Sequence, residues 1–414
     1  MKSLKKDVEA IIKACLAASQ PDAAVKNYLK EIDFGTGRLI LVAIGKAAWS
    51  MARAAQDELG ERIDQGIVIT KYGHVKGELP GILCREAGHP VPDEASYAAT
   101  REAVEMTRDL EENDRVLFLI SGGGSALFED PWIPQEELLE ITGQLLASGA
   151  DIVEINTIRK RLSRVKGGRF AEICAPARME CIVLSDIIGD PLDMIASGPA
   201  YPDSSTREEA LEILRKYNIS LSLAARAKMD METPKTINNV RTFISGSVRE
   251  LTRAAARKAG ELGYESRILT DCLVCEAREA GSFLGSIARS HATEGPLAFC
   301  AGGETVVHIT GTGKGGRNQE LALASAERID GLNDVVIFSL GSDGTDGPTD
   351  AAGGIVDGTT KAALLSEGIS IHETLTDNNS YEALARINGL IMTGPTGTNV
   401  NDVSVVLIGR SEES

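Results

Sequence analysis

The sequence predicts an α/β fold containing a parallel sheet covered on both faces. Two observations carry this. Runs that are apolar at every position, such as Val116–Ile120 (VLFLI), lack the alternation of a half-exposed strand and belong to strands buried on both sides. These runs also alternate with stretches of helical periodicity, the order that builds parallel sheets. With 414 residues the chain is long enough for two or three domains with substantial cores.

Each element follows from its local pattern. Ala10, Ile11, Ala14, Cys15 and Ala18 recur at helical spacing, so the N-terminal stretch reads as an amphipathic helix. Asp7 and Glu9 stand where a signal peptide would begin its apolar core. Residues 38–44 form a β-rich run ending at Gly45, and residues 46–59 read as a helix. A strand at 67–70, a helix at 94–111, the strand at 116–120, a helix at 134–148 opened by proline, a strand at 181–184 and a helix at 206–217 follow. Residues 224–239 have weak periodicity and a proline, and they read as a linker. A second run begins near Thr236, with strands expected at 242–244, 267–270, 297–300, 305–310, 335–340 and 403–408 and a helix at 248–262.

Composition excludes several classes. Lys and Arg number 43 against 60 Asp and Glu, a net charge of −17, which opposes binding to nucleic acid or an anionic membrane. No apolar run approaches the ~18 residues of a membrane span. Seven scattered cysteines fit reduced thiols in a cytoplasm. The oligomeric state is open, and a homodimer is compatible with the sequence.

In parallel sheets ligands sit at the carboxyl ends of strands, so chemistry is sought in the loops there. Lys46 opens a helix, where a cation opposes the helix dipole unless an anion neutralises both. Ser121-Gly122-Gly123-Gly124-Ser125 follows a buried strand, and its bare backbone suits an anion nest. The run 159–169 (RKRLSRVKGGR) carries six basic residues and no acid, and Arg159 and Lys166 are candidate clamps for a substrate carboxylate. Gly311–Gly316 formally matches GxGxxG, a weak dinucleotide signal, and Arg317 and Asn318 follow at a helix start. Gly302, Gly303, Glu304, Gly315 and Gly316 are the remaining candidates for nucleotide contact. Asp186, Asp190, Asp343 and Asp346 lie in glycine-containing loops, and their hard oxygens suit Mg²⁺. There is no GxxxxGK[ST] P-loop. Cys272 and Cys275 form a CxxC that reads as structural thiols, and His89, between Gly88 and Pro90, reads as a positioning or structural residue more readily than as a base.

The chain resembles the class II glycerate 2-kinases, whose C-terminal part is called the MOFRL domain. The resemblance rests on AIGKAA at 43–48, AGHPVPDE at 87–94, SGGGSAL at 121–127, INTIRKRLSRVKGG at 155–168 and LSDIIGDPLDMIASGPAYPDSST at 184–206. It continues through GGETVV at 302–307, GKGGRNQE at 313–320, GSDGTDGPTDAAGG at 341–354 and TGPTGTNVND at 393–402. It implies a Rossmann-like N-terminal α/β domain, set at 1–235, and a smaller C-terminal α/β domain at 236–414, with the active site in the cleft between them. It further implies transfer of the γ-phosphoryl group of ATP to D-glycerate with Mg²⁺, with Lys46 and Arg317 as catalytic residues. Asp186 is the first candidate to orient or deprotonate the 2-hydroxyl. Arg161 stands where relatives often carry His, which bears on selectivity if that position touches substrate. The rival readings are an NAD(P)H-dependent hydroxypyruvate reductase, supported by the GxGxxG match alone, and a non-catalytic sugar-acid or nucleotide sensor.

Overall fold

The computed structural model describes residues 2–185 and 187–409. The chain divides into two compact units, Pro21–Ser185 with Asp190–Ser245, and Met1–Gln20 with Asp186–Gly189 and Gly246–Ser414.

The first unit is built on six strands: β1 Leu39–Ile44, β2 Gln65–Lys71, β3 Ile82–Ala87, β4 Arg115–Ile120, β5 Arg178–Leu184 and β6 Val240–Ser245. All pair in parallel, in the order β3-β2-β1-β4-β5-β6. This is the doubly wound order, which reverses between β1 and β4. Every position of β1 is buried, as expected of a central strand covered on both faces. Phe118 of β4 packs with Phe128 and Phe170, ring centroids 5.0–5.9 Å apart, so the segment following β4 is anchored in the core at its far end. A separate helical core forms where Ile155, Ile158 and Leu162 meet Leu138, Ile141, Leu145, Ile213 and Met229.

The second unit holds β7 Glu265–Leu273, β8 Leu297–Gly303, β9 Val335–Gly341, β10 Gly353–Asp357, β11 Leu390–Ile391 and β12 Asp402–Ile408, in the order β11-β10-β9-β12-β8-β7. Only β7 and β8 pair in parallel; β12 lies between β8 and β9 and runs against both. Asp402, the first residue of β12, therefore pairs with Gly303 on one side and Gly341 on the other. A strand inserted backwards brings its first residue to the carboxyl ends of its two neighbours.

Several expectations are corrected. The N-terminal helix Lys2–Ala18 belongs to the second unit, burying Leu4, Val8, Ile11 and Cys15 in a stripe. The units part at Ser245/Gly246 rather than 235/236, because residues 240–245 form β6 of the first sheet. β6 is an edge strand, and its half-exposed pattern carries no sign of which sheet it joins. The expected linker lies within the first unit and contains most of the helix Leu223–Met229. Residues 305–310 form no extended strand, apart from a bridge between Val306 and Glu276, and belong to a long loop.

Candidate active site

The crevice of the first unit is built from the ends of β1 and β4. Gly45 follows β1 at φ +107°, and a Cβ there would lie 2.3 Å from the Ser121 carbonyl oxygen and Oγ, so glycine alone lets the two loops touch. Ser121 Oγ donates to the Ile44 carbonyl (3.1 Å) and accepts the Ala47 N–H (3.1 Å), while the Lys46 N–H donates to the Gly122 carbonyl (2.9 Å). The serine side chain thus joins the loops and opens the helix Ala48–Leu59; it is buried and offers a ligand nothing. Ser125 Oγ is likewise engaged with Ser197 Oγ, which donates to Asn156. What the segment does present is backbone. The N–H groups of Gly122, Gly123, Gly124 and Ser125 have no protein acceptor among the described residues, and Gly123, at φ +88°, turns them together.

Lys46 is half-buried, and its ammonium has no ion pair among the described residues. His74 Nδ1 lies 3.0 Å from the Lys46 carbonyl oxygen. Burial, then the charges of Lys46, Lys71 and His74, push the His89 imidazole below its ordinary range. Two lysines and two histidines therefore gather at this end of the sheet, a setting that suits an anion.

The basic run 159–169 lies beside this loop and serves it from behind. Lys166 is fully buried and donates to the carbonyls of Ser125 (2.9 Å) and Phe128 (2.8 Å), with Glu129 3.6 Å away. Burial pushes its amine down to about 8. Arg159 donates to the same Ser125 carbonyl (3.0 Å). A direct clamp on substrate is thereby corrected for Lys166, which is sealed from solvent; it fixes the carbonyl side of the loop whose N–H side is open. Arg161 is also fully buried, bonded to the Met231 and Ser205 carbonyls and to Glu232, so it ties loops together. Asp186 lies outside the described residues. Asp190, at φ +51°, keeps a buried Oδ1 with no hydrogen-bond partner among the described residues.

The second unit collects its polar groups where β12 begins. Arg317 opens the helix Arg317–Ile329 and forms a two-pronged pair with Asp402, Nε to Oδ2 at 2.5 Å and Nη2 to Oδ1 at 3.0 Å. Its Nη1 is 3.1 Å from Glu304. Burial works against the charged guanidinium, but Asp402 and then Glu304 outweigh it and raise its pKa. Asp346 accepts the N–H groups of Asn318 (3.2 Å) and Gln319 (2.9 Å) and so starts this helix. Both its oxygens are engaged by the helix start, and burial pushes its carboxyl up to about 7, so its visible role is to cap this helix. Asn318 is buried between Asp346 and Ser339 and is a packing residue, not a nucleotide contact. Gly302 and Gly303, expected at the nucleotide, are bare for packing: a Cβ would strike Thr252 Oγ1 at 2.0 Å or the Leu273 backbone at 2.2 Å.

A cavity of about 630 Å³ in this unit is lined by Val274, Val306, Val307, Ile309 and Pro348 together with Glu304, Gly315, Gly316, Arg317 and Glu320. That size and mix suit a small molecule with an apolar body and a charged end. The GxGxxG match is not a dinucleotide fingerprint. Cβ atoms on Gly311, Gly313 and Gly315 would strike residues 377–380, and one on Gly316 would strike Asp346. The loop is glycine-rich because it packs against its own unit. Cys272 is exposed, Cys275 is half-buried, and both are free thiols.

A doubly wound sheet with an open cation beside a glycine nest, joined in sequence to a mixed sheet with a clamped arginine, defines a class of anion-handling α/β proteins. Two family models match the chain: the domain of unknown function DUF4147 over residues 7–231 and the MOFRL family over 297–402. The chain is 51% identical to the D-glycerate 2-kinase of Thermotoga maritima, covering 98% of this chain and 99% of that one. It is 42% identical to the glycerate 2-kinase of Pyrococcus horikoshii over 96% of each, and 38% identical to a putative hydroxypyruvate reductase of Agrobacterium vitis over 98% of this chain and 95% of that one. The crystal structure of the Thermotoga maritima glycerate kinase superposes with a TM-score of 0.95 at 50% identity, covering 99% of this chain and 100% of that one. The chain belongs to the class II glycerate kinase family.

Proposed function

We propose that this protein is a glycerate 2-kinase, transferring the γ-phosphoryl group of ATP to the 2-hydroxyl of D-glycerate to give 2-phospho-D-glycerate and ADP. One observation carries the reading: 51% identity, over nearly the whole of both chains, to the D-glycerate 2-kinase of Thermotoga maritima. Phosphoryl transfer asks a protein for positioning and for neutralisation of moving charge. In this reading the Lys46 ammonium, without an ion pair among the described residues, neutralises the transferred group, and the N–H groups of 122–125 hold glycerate. Arg317, held in one orientation by Asp402 and Glu304, presents its guanidinium to the nucleotide phosphates. The apolar wall of the 630 Å³ cavity receives the nucleoside.

Mg²⁺ fits the residues present. No group of three or more His, Cys, Asp or Glu forms a metal cage among the described residues. Mg²⁺ on a nucleotide needs only one or two carboxylates, because phosphates and water complete its shell. The Oδ1 of Asp190, without a hydrogen-bond partner among the described residues, or separately the half-buried Asp343 of the second unit, is the carboxylate that would hold it, and it would supply charge neutralisation on the phosphates.

The test is a product assay with Mg-ATP and D-glycerate, following ADP and passing the product to enolase. Prompt conversion without a mutase is expected, since 2-phosphoglycerate is the substrate of enolase; absence of ADP release overturns the reading. No helix among the described residues is long and apolar enough to cross a membrane, and we place the reaction in the cytoplasm.

A further inference from the structure

We infer that the His89 imidazole accepts the proton of the substrate 2-hydroxyl as the phosphoryl group arrives. The inference rests on the kinase reading above and goes beyond it by naming the base. A Cβ built on Gly123 would lie 3.0 Å from both Nε2 and Cδ2 of His89 and 3.2 Å from Cγ of Lys46. The imidazole edge and the lysine stem therefore flank one backbone position in the loop that offers its N–H groups. Neither ring nitrogen of His89 has a hydrogen-bond partner among the described residues. His74, by contrast, is engaged with the Lys46 carbonyl through Nδ1. His291 and His308 lie in the other unit beside Glu294 and Glu276.

The groups acting on the ring are all basic: Lys46 after β1, Lys71 at the end of β2 and His74 in the turn that follows. The nearby carboxylate on its own loop, Asp93, accepts from Ser96 N–H and from Tyr72 Oη and caps the helix Glu94–Met106. Partial burial, and then the surrounding basic groups, keep the ring neutral near pH 7 and able to take a proton. A neutral base also suits a place beside Lys46 better than a carboxylate would, because a carboxylate would pair with the ammonium and cancel the charge meant for the phosphoryl group. In the step, the 2-hydroxyl oxygen forms its bond to the γ-phosphorus. The bond from that phosphorus to the bridging oxygen breaks, with its electron pair leaving on ADP. The hydroxyl proton passes to Nε2 and then to water.

The experiment compares wild type, His89→Gln and Asp186→Asn by kcat and KM from pH 5 to 9, using D-glycerate, Mg-ATP and identified product. Glutamine keeps a polar group near Nε2 and cannot take the proton. Wild-type kcat is expected to fall on the acid side, centred below the ordinary histidine value of 6.5. H89Q is expected to lose that limb and about 10²–10³ of kcat, with KM for D-glycerate within threefold; D186N is expected to keep the limb. The inference is overturned if H89Q keeps the limb, if its kcat stays within fivefold of wild type, or if D186N loses the limb instead. Thermal melts check folding, and His89→Asn repeats the test should H89Q melt early. Wild type that releases no ADP with D-glycerate overturns the kinase reading and this inference with it; an active wild type with an indifferent H89Q overturns this inference alone.

Discussion

Lys46 lies in the turn between β1 and the helix Ala48–Leu59, and Arg317 opens the helix Arg317–Ile329, yet their surroundings are opposite. Lys46 has no carboxylate partner among the described residues and shares its end of the parallel sheet with Lys71, His74 and His89. Arg317 is held by Asp402 and Glu304, with Asp346 beside it. The first region carries excess positive charge and suits a free anion. The second has its cation balanced in advance, which suits a ligand arriving with its own counter-ion, as a magnesium nucleotide does. An unpaired charge contributes to chemistry without supporting the fold; a clamped charge contributes to both.

The sharpest way to break this contrast is to remove each cation in turn. Lys46→Ala is expected to lower kcat by about 10²–10⁵, as loss of a charge-stabilising group does elsewhere, while leaving the melting temperature within about 1 °C, since no partner is orphaned. Activity within tenfold of wild type would reject the role of Lys46. Arg317→Ala is expected to lose activity to a similar degree and also to destabilise its unit by roughly 3–5 kcal/mol, because Asp402 is left buried without its partner. The double variant Arg317→Met with Asp402→Leu should recover much of that stability and none of the activity. An R317A protein that melts with wild type would show that the clamp does no structural work.

The contrast was only half visible in the sequence. The positions of Lys46 and the glycine loop directly after buried strands, and of Arg317 at a helix start, were legible because strand, loop and helix are local patterns. The partners were not. Asp402 reaches Arg317 across 85 positions, through a strand inserted backwards into a mixed sheet, and no local period announces that. The charges of Lys166 and Arg159 are plain in the sequence, but whether a basic run faces ligand or core depends on the helix Ile152–Leu162 and the loop after it, whose packing is tertiary. Asp346 sits in a glycine-containing loop whose local pattern suits a hard-oxygen ligand, whereas its oxygens satisfy the free N–H groups of a helix distant in sequence. The MOFRL-like second unit was expected as α/β, but the transfer of the N-terminal helix into it had no signal beyond an apolar stripe.

Asp346 gives the contrast a pH signature. Its carboxyl sits at about 7 in the folded protein against 3.8 when free, so between those values the native state binds more protons than the unfolded state, and stability falls as pH rises through that window. The slope has a ceiling of about 1.4 kcal/mol per pH unit. Asp346→Asn should remove it, so the variant gains on wild type in chemical denaturation between pH 4 and 7. Parallel curves across that range would show that burial does not hold the proton.

The smallest expected effect lies in the other unit and has the opposite sense. Lys166 is an amine pushed down to about 8 from 10.5 by complete burial, with Glu129 opposing the shift. Between those values the native state binds fewer protons than the unfolded state, so this group makes stability rise as pH rises from 8 to 10.5. Lys166→Met should abolish the rise. It should also loosen the Ser125 and Phe128 carbonyls and thereby weaken the nest on the loop's other face, raising KM for D-glycerate more than it lowers kcat. Restoring the core with Glu129→Leu in the same chain should return stability, since the buried carboxylate then no longer lacks its partner, and leave KM high, since the carbonyls remain unheld. If KM recovered together with stability, Lys166 would be a core residue and nothing more; if only stability recovered, the lysine positions the loop that the open cation serves.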